Sequence, residues 1–189
     1  MMPGSVYADG LVNLIHMDCL EYLEWVGKEC VVVTAPPWFE APAAVDEFFE
    51  RCEAAEIVTL WRFWDLPPIS QERYELAGVA VWHRQDGVQT LRHYLPRVEG
   101  RKREQKVYAP VVAEPVDSEH DEWLGFGLQQ PLVVMRRALE MVEDKEKVVV
   151  DPFCGAGTTL VAARMMGRKA VGIEVNEKVC EIARRRLER

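Results

Sequence analysis

The stretch Val148-Val149-Val150-Asp151-Pro152-Phe153-Cys154-Gly155-Ala156-Gly157-Thr158-Thr159-Leu160 constrains the fold more than any other. Three β-branched residues run into a carboxylate and a Gly-x-Gly turn, and a helix-compatible segment follows from Thr158 to Met166. That order is strand, tight turn, helix N-terminus. Gly155 and Gly157 lack a Cβ, so the turn can take positive φ and admit a ligand close to the backbone. The first N–H groups of the helix have no intrahelical partner and offer themselves to an anionic group. A second strand, Lys169 to Glu174, ends in a carboxylate placed where a ribose diol can be held. No Lys sits in the turn, so it is not a P-loop, and Leu160 stands where a dinucleotide fingerprint has Gly or Ala. The stretch reads as a nucleoside-cofactor site.

A second signal lies upstream. Glu29-Cys30-Val31-Val32-Val33-Thr34 is an apolar run without alternation, as expected of a strand buried on both faces of a parallel sheet. It runs into Ala35-Pro36-Pro37-Trp38-Phe39, where two prolines end the ladder and start a stiff loop. Taken alone, this is a proline turn before a helix over Ala43 to Cys52, with Trp38 in the core.

At these two loops the sequence resembles the S-adenosylmethionine-dependent DNA amino-methyltransferases. Asp-Pro-Phe-x-Gly-x-Gly-Thr-Thr is similar to their cofactor loop, and Ala-Pro-Pro-Trp to their Asp/Asn/Ser-Pro-Pro-aromatic catalytic loop. The resemblance implies that Asp151, Pro152, Phe153, Gly155, Gly157, Thr158, Thr159, Glu174 and Asn176 hold S-adenosylmethionine, with Asp18 beside its adenine. It implies a catalytic loop of Ala35, Pro36, Pro37 and Trp38. There the Pro36 carbonyl points at an exocyclic amine and Trp38 stacks on a base swung out of the duplex. The family's first loop residue is polar and accepts a hydrogen bond from the target amine; here it is Ala35. Thr34 is one residue off and, in a strand, faces the opposite side. The Pro-Pro loop precedes the cofactor loop, which is the permuted order of the β-group. The implied activity is methyl transfer to DNA, adenine N6 ahead of cytosine N4, weakened by Ala35. The alternatives are a silent cofactor-binding subunit and an RNA adenosine enzyme. The implied fold is a doubly wound, mostly parallel α/β sheet of the Rossmann-like methyltransferase type, with room for a homodimer.

The rest of the chain fits one domain over residues 1–189. At 189 residues with 49% hydrophobic and 29% charged residues, it is long enough for a real core. No apolar run is long enough to span a bilayer, and residues 1–5 lack a signal pattern, so no membrane is expected. Five scattered cysteines argue against a disulfide framework and a metal site, and a reducing cytoplasm is the default. A net charge of −8 excludes a protein that coats nucleic acid non-specifically.

Leu11 to His16 reads as a strand, Cys19 to Trp25 as a helix and Glu56 to Trp61 as a strand. Asp18 also suits the N-cap of its helix. A short helix is expected over Ser70 to Leu76 and a strand over Gly78 to His83. From Arg84 to Lys106 seven basic residues face three acidic ones. This suggests a basic hairpin insertion at about 84–106, with Gln105 to Glu114 as its returning strand. Arg92, Arg101, Lys102 and Arg103 are its candidate phosphate contacts. Helices are expected over Leu132 to Val142 and Glu177 to Leu187. Gln130 stands where the family usually has Lys.

Overall fold

The computed structural model describes residues 4–37, 39–62, 67–84, 87–100, 103–112 and 129–189. In chain order the elements are β1 (Ser5–Ala8), β2 (Val12–His16), α1 (Cys19–Tyr22) with a 3-10 turn Leu23–Trp25, β3 (Cys30–Thr34), α2 (Pro42–Arg51), β4 (Glu56–Arg62), β5 (Tyr74–Arg84), β6 (Gly87–Pro96), β7 (Lys106–Val107), β8 (Val111–Val112), α3 (Leu132–Met141), β9 (Val148–Asp151), α4 (Thr158–Met165), β10 (Ala170–Glu174) and α5 (Glu177–Leu187). Among the described residues one sheet runs β1-β2-β10-β9-β3-β4-β6-β5-β7, with β8 also on β5. Strands β2, β10, β9, β3 and β4 are mutually parallel. β1, and β6 against both of its neighbours, run antiparallel.

Apolar side chains cover both faces because adjacent residues of a strand point to opposite sides. On β3, Val31 and Val33 pack with α3, α4 and α5 through Met135, Leu139, Leu160 and Ala183. Val32 packs the other way, with Phe48 and Phe49 of α2 and Tyr22 of α1. The expected doubly wound sheet is the observed one. Its switch point lies between β9 and β3: from β9 the chain goes on to β10 on one side, and from β3 to β4 on the other. Loops leaving the C-terminal ends of two such strands diverge and open a crevice.

Two expectations about the middle of the chain do not hold. Residues 71–73 form a turn and Tyr74 opens β5, so there is no helix over Ser70 to Leu76. Tyr74, Glu75 and Leu76 pair with Pro96, Leu95 and Tyr94 of β6, and the Tyr74 hydroxyl donates to the Ala54 carbonyl at 2.7 Å. Pairing with a distant strand overrides local propensity here. The basic segment is also no insertion. β6 lies inside the sheet between β4 and β5, and Gln105 to Val112 supplies only the short β7 and β8 beside β5.

Helix α4 lies close on β10 because Gly172 has no side chain. A Cβ there would sit 2.7 Å from Leu160 Cδ1 and 2.9 Å from both Cβ and Sγ of Cys154. Gly172→Ala is therefore expected to destabilise the fold by about 1–3 kcal/mol through overpacking. Each kcal/mol lowers Tm by about 2–4 °C in a chain of this size. An unchanged melting curve would show that the loop yields freely.

Candidate functional site

A cavity of about 580 Å³ opens where the loops after β9, β10 and β3 converge. The loop after β9 makes the turn foreseen for it: Gly155 and Gly157 have φ of +52° and +76°, and Gly157 caps α4 in the left-handed conformation. Cysteine 154 anchors the loop, its N–H donating to the Ile173 carbonyl at 3.0 Å. Glu174 closes the loop from β10. Its Oε2 accepts the Gly155 N–H at 3.0 Å and its Oε1 the Asn176 N–H at 2.8 Å. Burial holds the Glu174 carboxyl above its ordinary pKa. Asn176 caps α5 by accepting the N–H groups of Lys178 and Val179.

Asp151 lies beneath this loop and is 2% exposed. Its Oδ1 accepts the Thr34 hydroxyl at 2.7 Å and the Phe153 N–H at 3.1 Å, and Thr159 gives a further side-chain hydrogen bond. Burial nevertheless raises its pKa to about 6, well above the usual carboxylate range. Phe153 packs edge-on against Phe48, with centroids 5.6 Å apart. Pro152, Thr158 and Thr159 line the cavity as well. Asp18 caps α1 as expected, its Oδ1 accepting the Leu20 N–H at 2.8 Å, and it borders the cavity.

Ala35, Pro36 and Pro37 line the same cavity, and the Pro37 carbonyl turns the chain by accepting the Glu40 and Ala41 N–H groups at 3.0 and 2.9 Å. Trp38 lies outside the described residues. Of the four expected nucleic-acid contacts, Arg92 and Arg103 lie among the described residues. Arg92 is 8% exposed on the inner strand β6, with its Nε donating to Thr90 Oγ1. Arg103 Nε donates to Glu75 at 3.2 Å, within reach also of Glu143. Arg101 and Lys102 lie outside the described residues.

Two residues escaped the sequence reading. Thr34, set aside as a substitute for Ala35, binds Asp151 instead. Arg186 reaches from α5 to the Gly-x-Gly turn, donating to Thr158 Oγ1 at 2.8 Å and to the Ala156 carbonyl at 3.3 Å. A hydroxyl in an apolar strand hints at the first; nothing in the run Arg184-Arg185-Arg186 singles out the second.

The donor set discriminates among ligands. Asp18, Glu40, Asp151 and Glu174 line the cavity, and no Lys, Arg or His does among the described residues. A polyphosphate would meet carboxyls with no cation to offset them. A nucleoside carrying a positive centre would be held at its diol and favoured at its charge.

The chain is 42% identical over 59 residues to the type II methyltransferase M.HindIII of Haemophilus influenzae, covering 31% of this chain and 19% of that protein. It is 26% identical over 108 residues to M2.LlaDCHI of Lactococcus lactis subsp. cremoris, covering 57% and 40%. It thus matches well under half the length of these relatives. Among solved structures, the M1.HpyAVI–SAM complex superposes with a TM-score of 0.71 at 15% identity, covering 95% of this chain and all of that one. The cytosine-N4-specific PvuII DNA methyltransferase does so with a TM-score of 0.68 at 15% identity, over 95% and 87%. These likenesses show the fold. The model of one family, the N6/N4 type described as DNA methylase, matches residues 56–185, most of the sheet and the whole Gly-x-Gly loop. On that match, the chain belongs to the N6/N4 DNA methylase family.

Proposed function

We propose that residues 1–189 form one S-adenosylmethionine-dependent domain of the permuted β-group, acting on an exocyclic amino group of DNA, adenine N6 ahead of cytosine N4. We place its work in the cytoplasm, where bacterial DNA lies; no helix among the described residues is long and apolar enough to cross a membrane. The observation that carries the reading is the shared cavity: the Gly155–Gly157 loop and the Ala35–Pro37 loop border one acidic space from adjacent parallel strands. Glu174 would hold the cofactor ribose, Asp18 would border its adenine, and Asp151 with Thr158 and Thr159 would shape the loop around it. When bound, the cofactor supplies a methyl group on a positively charged sulfur. The Pro36 carbonyl accepts one N–H of the target amine, and Trp38 stacks on the base. Arg101, Lys102 and Arg103 are the proposed phosphate contacts; buried Arg92 drops out of that set.

One observation favours a second reading. Ala35 provides no side-chain acceptor, so the chain also suits a silent cofactor-binding subunit that supports a partner, a homodimer mate included. Calorimetry with S-adenosylmethionine, followed by methyl labelling of unmethylated duplex DNA and of RNA, tests the proposal. Binding with faint labelling of DNA is expected, and failure to bind overturns the reading. Labelling confined to RNA would move the substrate. Glu174→Ala is expected to weaken cofactor binding by about 1.5–3 kcal/mol, the range for hydrogen bonds to a charged acceptor. Unaltered affinity in that variant would displace the ribose from Glu174.

A further inference from the structure

The Thr34–Asp151 bond joins the roots of the two loops. The backbone register between β3 and β9 runs from Cys30↔Val148 to Val32↔Val150 and stops there, two residues short of Thr34. Beyond that point the 2.7 Å side-chain bond is the direct tie between the strand ends. Thr34 is fully buried, and the next residues along the chain are Ala35, Pro36 and Pro37. The carboxylate it meets also takes the Phe153 N–H of the cofactor loop and is bonded by Thr159 in the first turn of α4. One carboxylate thus gathers the loop and helix of one site, and a single hydroxyl connects it to the other.

We propose that Thr34 is a positioning residue that couples the two loops, so that a ligand ordering the Gly155–Gly157 loop also stiffens the Ala35–Pro37 loop that receives the target base. This rests on the methyltransferase reading above. The physical reason is rigidity. Prolines 36 and 37 have fixed φ and hold Ala35 and Pro36 before them to extended backbone, so a shift of the Thr34 end of β3 is carried toward the Pro36 carbonyl with little slack. A hydroxyl that only satisfied a buried acid would affect stability alone. A coupling hydroxyl also makes the Pro-Pro loop respond to ligand at the other loop.

Hydrogen exchange of the Glu40 and Ala41 amides, both bonded to the Pro37 carbonyl, reads the loop without requiring turnover. Exchange is compared with and without saturating S-adenosylmethionine, with saturation verified by calorimetry for each protein. In the wild type the cofactor is expected to slow these amides at least about 5-fold, the lower end of ordinary coupling between sites. Thr34→Val, which keeps the shape and loses the donor, should abolish the slowing. Thr34→Ser, which keeps the donor, should retain it. If Thr34→Val does not fold, as judged by circular dichroism, Thr34→Ala removes the same donor and is read in the same way. Equal slowing in the donor-less and wild-type proteins overturns the coupling while leaving the cofactor reading intact. Absence of cofactor binding by the wild type overturns that reading and the coupling with it.

Discussion

Replacing Ala35 by Asp raises methyl transfer to unmethylated duplex DNA by about 10²–10³-fold, by analogy with the loss of a single preorganised hydrogen-bond donor elsewhere. The target amine is conjugated to its ring, so its lone pair is delocalised and weakly nucleophilic. On the proposed reading, the Pro36 carbonyl takes only one of its two protons. A second acceptor gains most in the transition state, where positive charge grows on nitrogen, and the benefit therefore falls on the rate rather than on binding. Thr34 is no stand-in for that acceptor, because it is fully buried and does not line the cavity, its hydroxyl turned toward Asp151 on β9. It also adds a cost. Asp18, Glu40, Asp151 and Glu174 already line this cavity, and a fifth carboxyl would repel them. Ala35→Asn offers the same acceptor without the charge, and is expected to recover activity with less loss of stability. Equal turnover by the wild type and both variants would remove the assigned role from position 35. No turnover by any of the three would favour the silent subunit.

Asp151→Asn stabilises the folded protein above pH 6 by up to about 3 kcal/mol, the cost of keeping ionised a carboxyl whose pKa burial lifts to about 6. The group is 2% exposed and its pKa is raised by burial to about 6. A carboxyl raised on folding binds its proton more tightly in the folded state. Its favourable contribution is complete below the unfolded pKa and is lost as pH rises from about 4 to about 6. The amide has no charge to desolvate. Its oxygen can still accept from Thr34 and Phe153, and the Thr159 hydroxyl can turn to accept from its nitrogen. Denaturant unfolding of both proteins at pH 5 and pH 8 measures the effect. The advantage of the variant should be about half its maximum at the lower pH, midway between the two pKa values, and near its maximum at the higher one. The difference between the proteins cancels groups of opposite sign such as Glu56, whose pKa is lowered by His93 and by the Glu143 and Asp144 N–H groups against the effect of its burial. A constant difference across the range would place the Asp151 proton elsewhere. A buried charge kept at such a cost is what a site shaped for a cationic ligand requires.

The parts of this protein legible in its sequence are those whose causes are local. Val148 to Val150 form a strand because β-branched residues suit one, and Gly155 and Gly157 turn because they alone tolerate the positive φ found there. Pro36 and Pro37 end β3 because they have no N–H to give the ladder. These features carried the fold class, the two loops and the loop residues that line the cavity, since parallel strands with crossover helices send successive loops to the same sheet edge. What only the tertiary structure decided depends on partners distant in the chain. Tyr74 to Leu76 became strand because β6 was there to pair with. Arg92 left the candidate DNA surface because its strand lies inside the sheet. Thr34 found Asp151 across 117 residues, and Arg186 found Thr158 across 28. A side chain's hydrogen-bond partner is set by which strands and helices become neighbours, and that is fixed by the packing of the whole sheet rather than by the residues on either side.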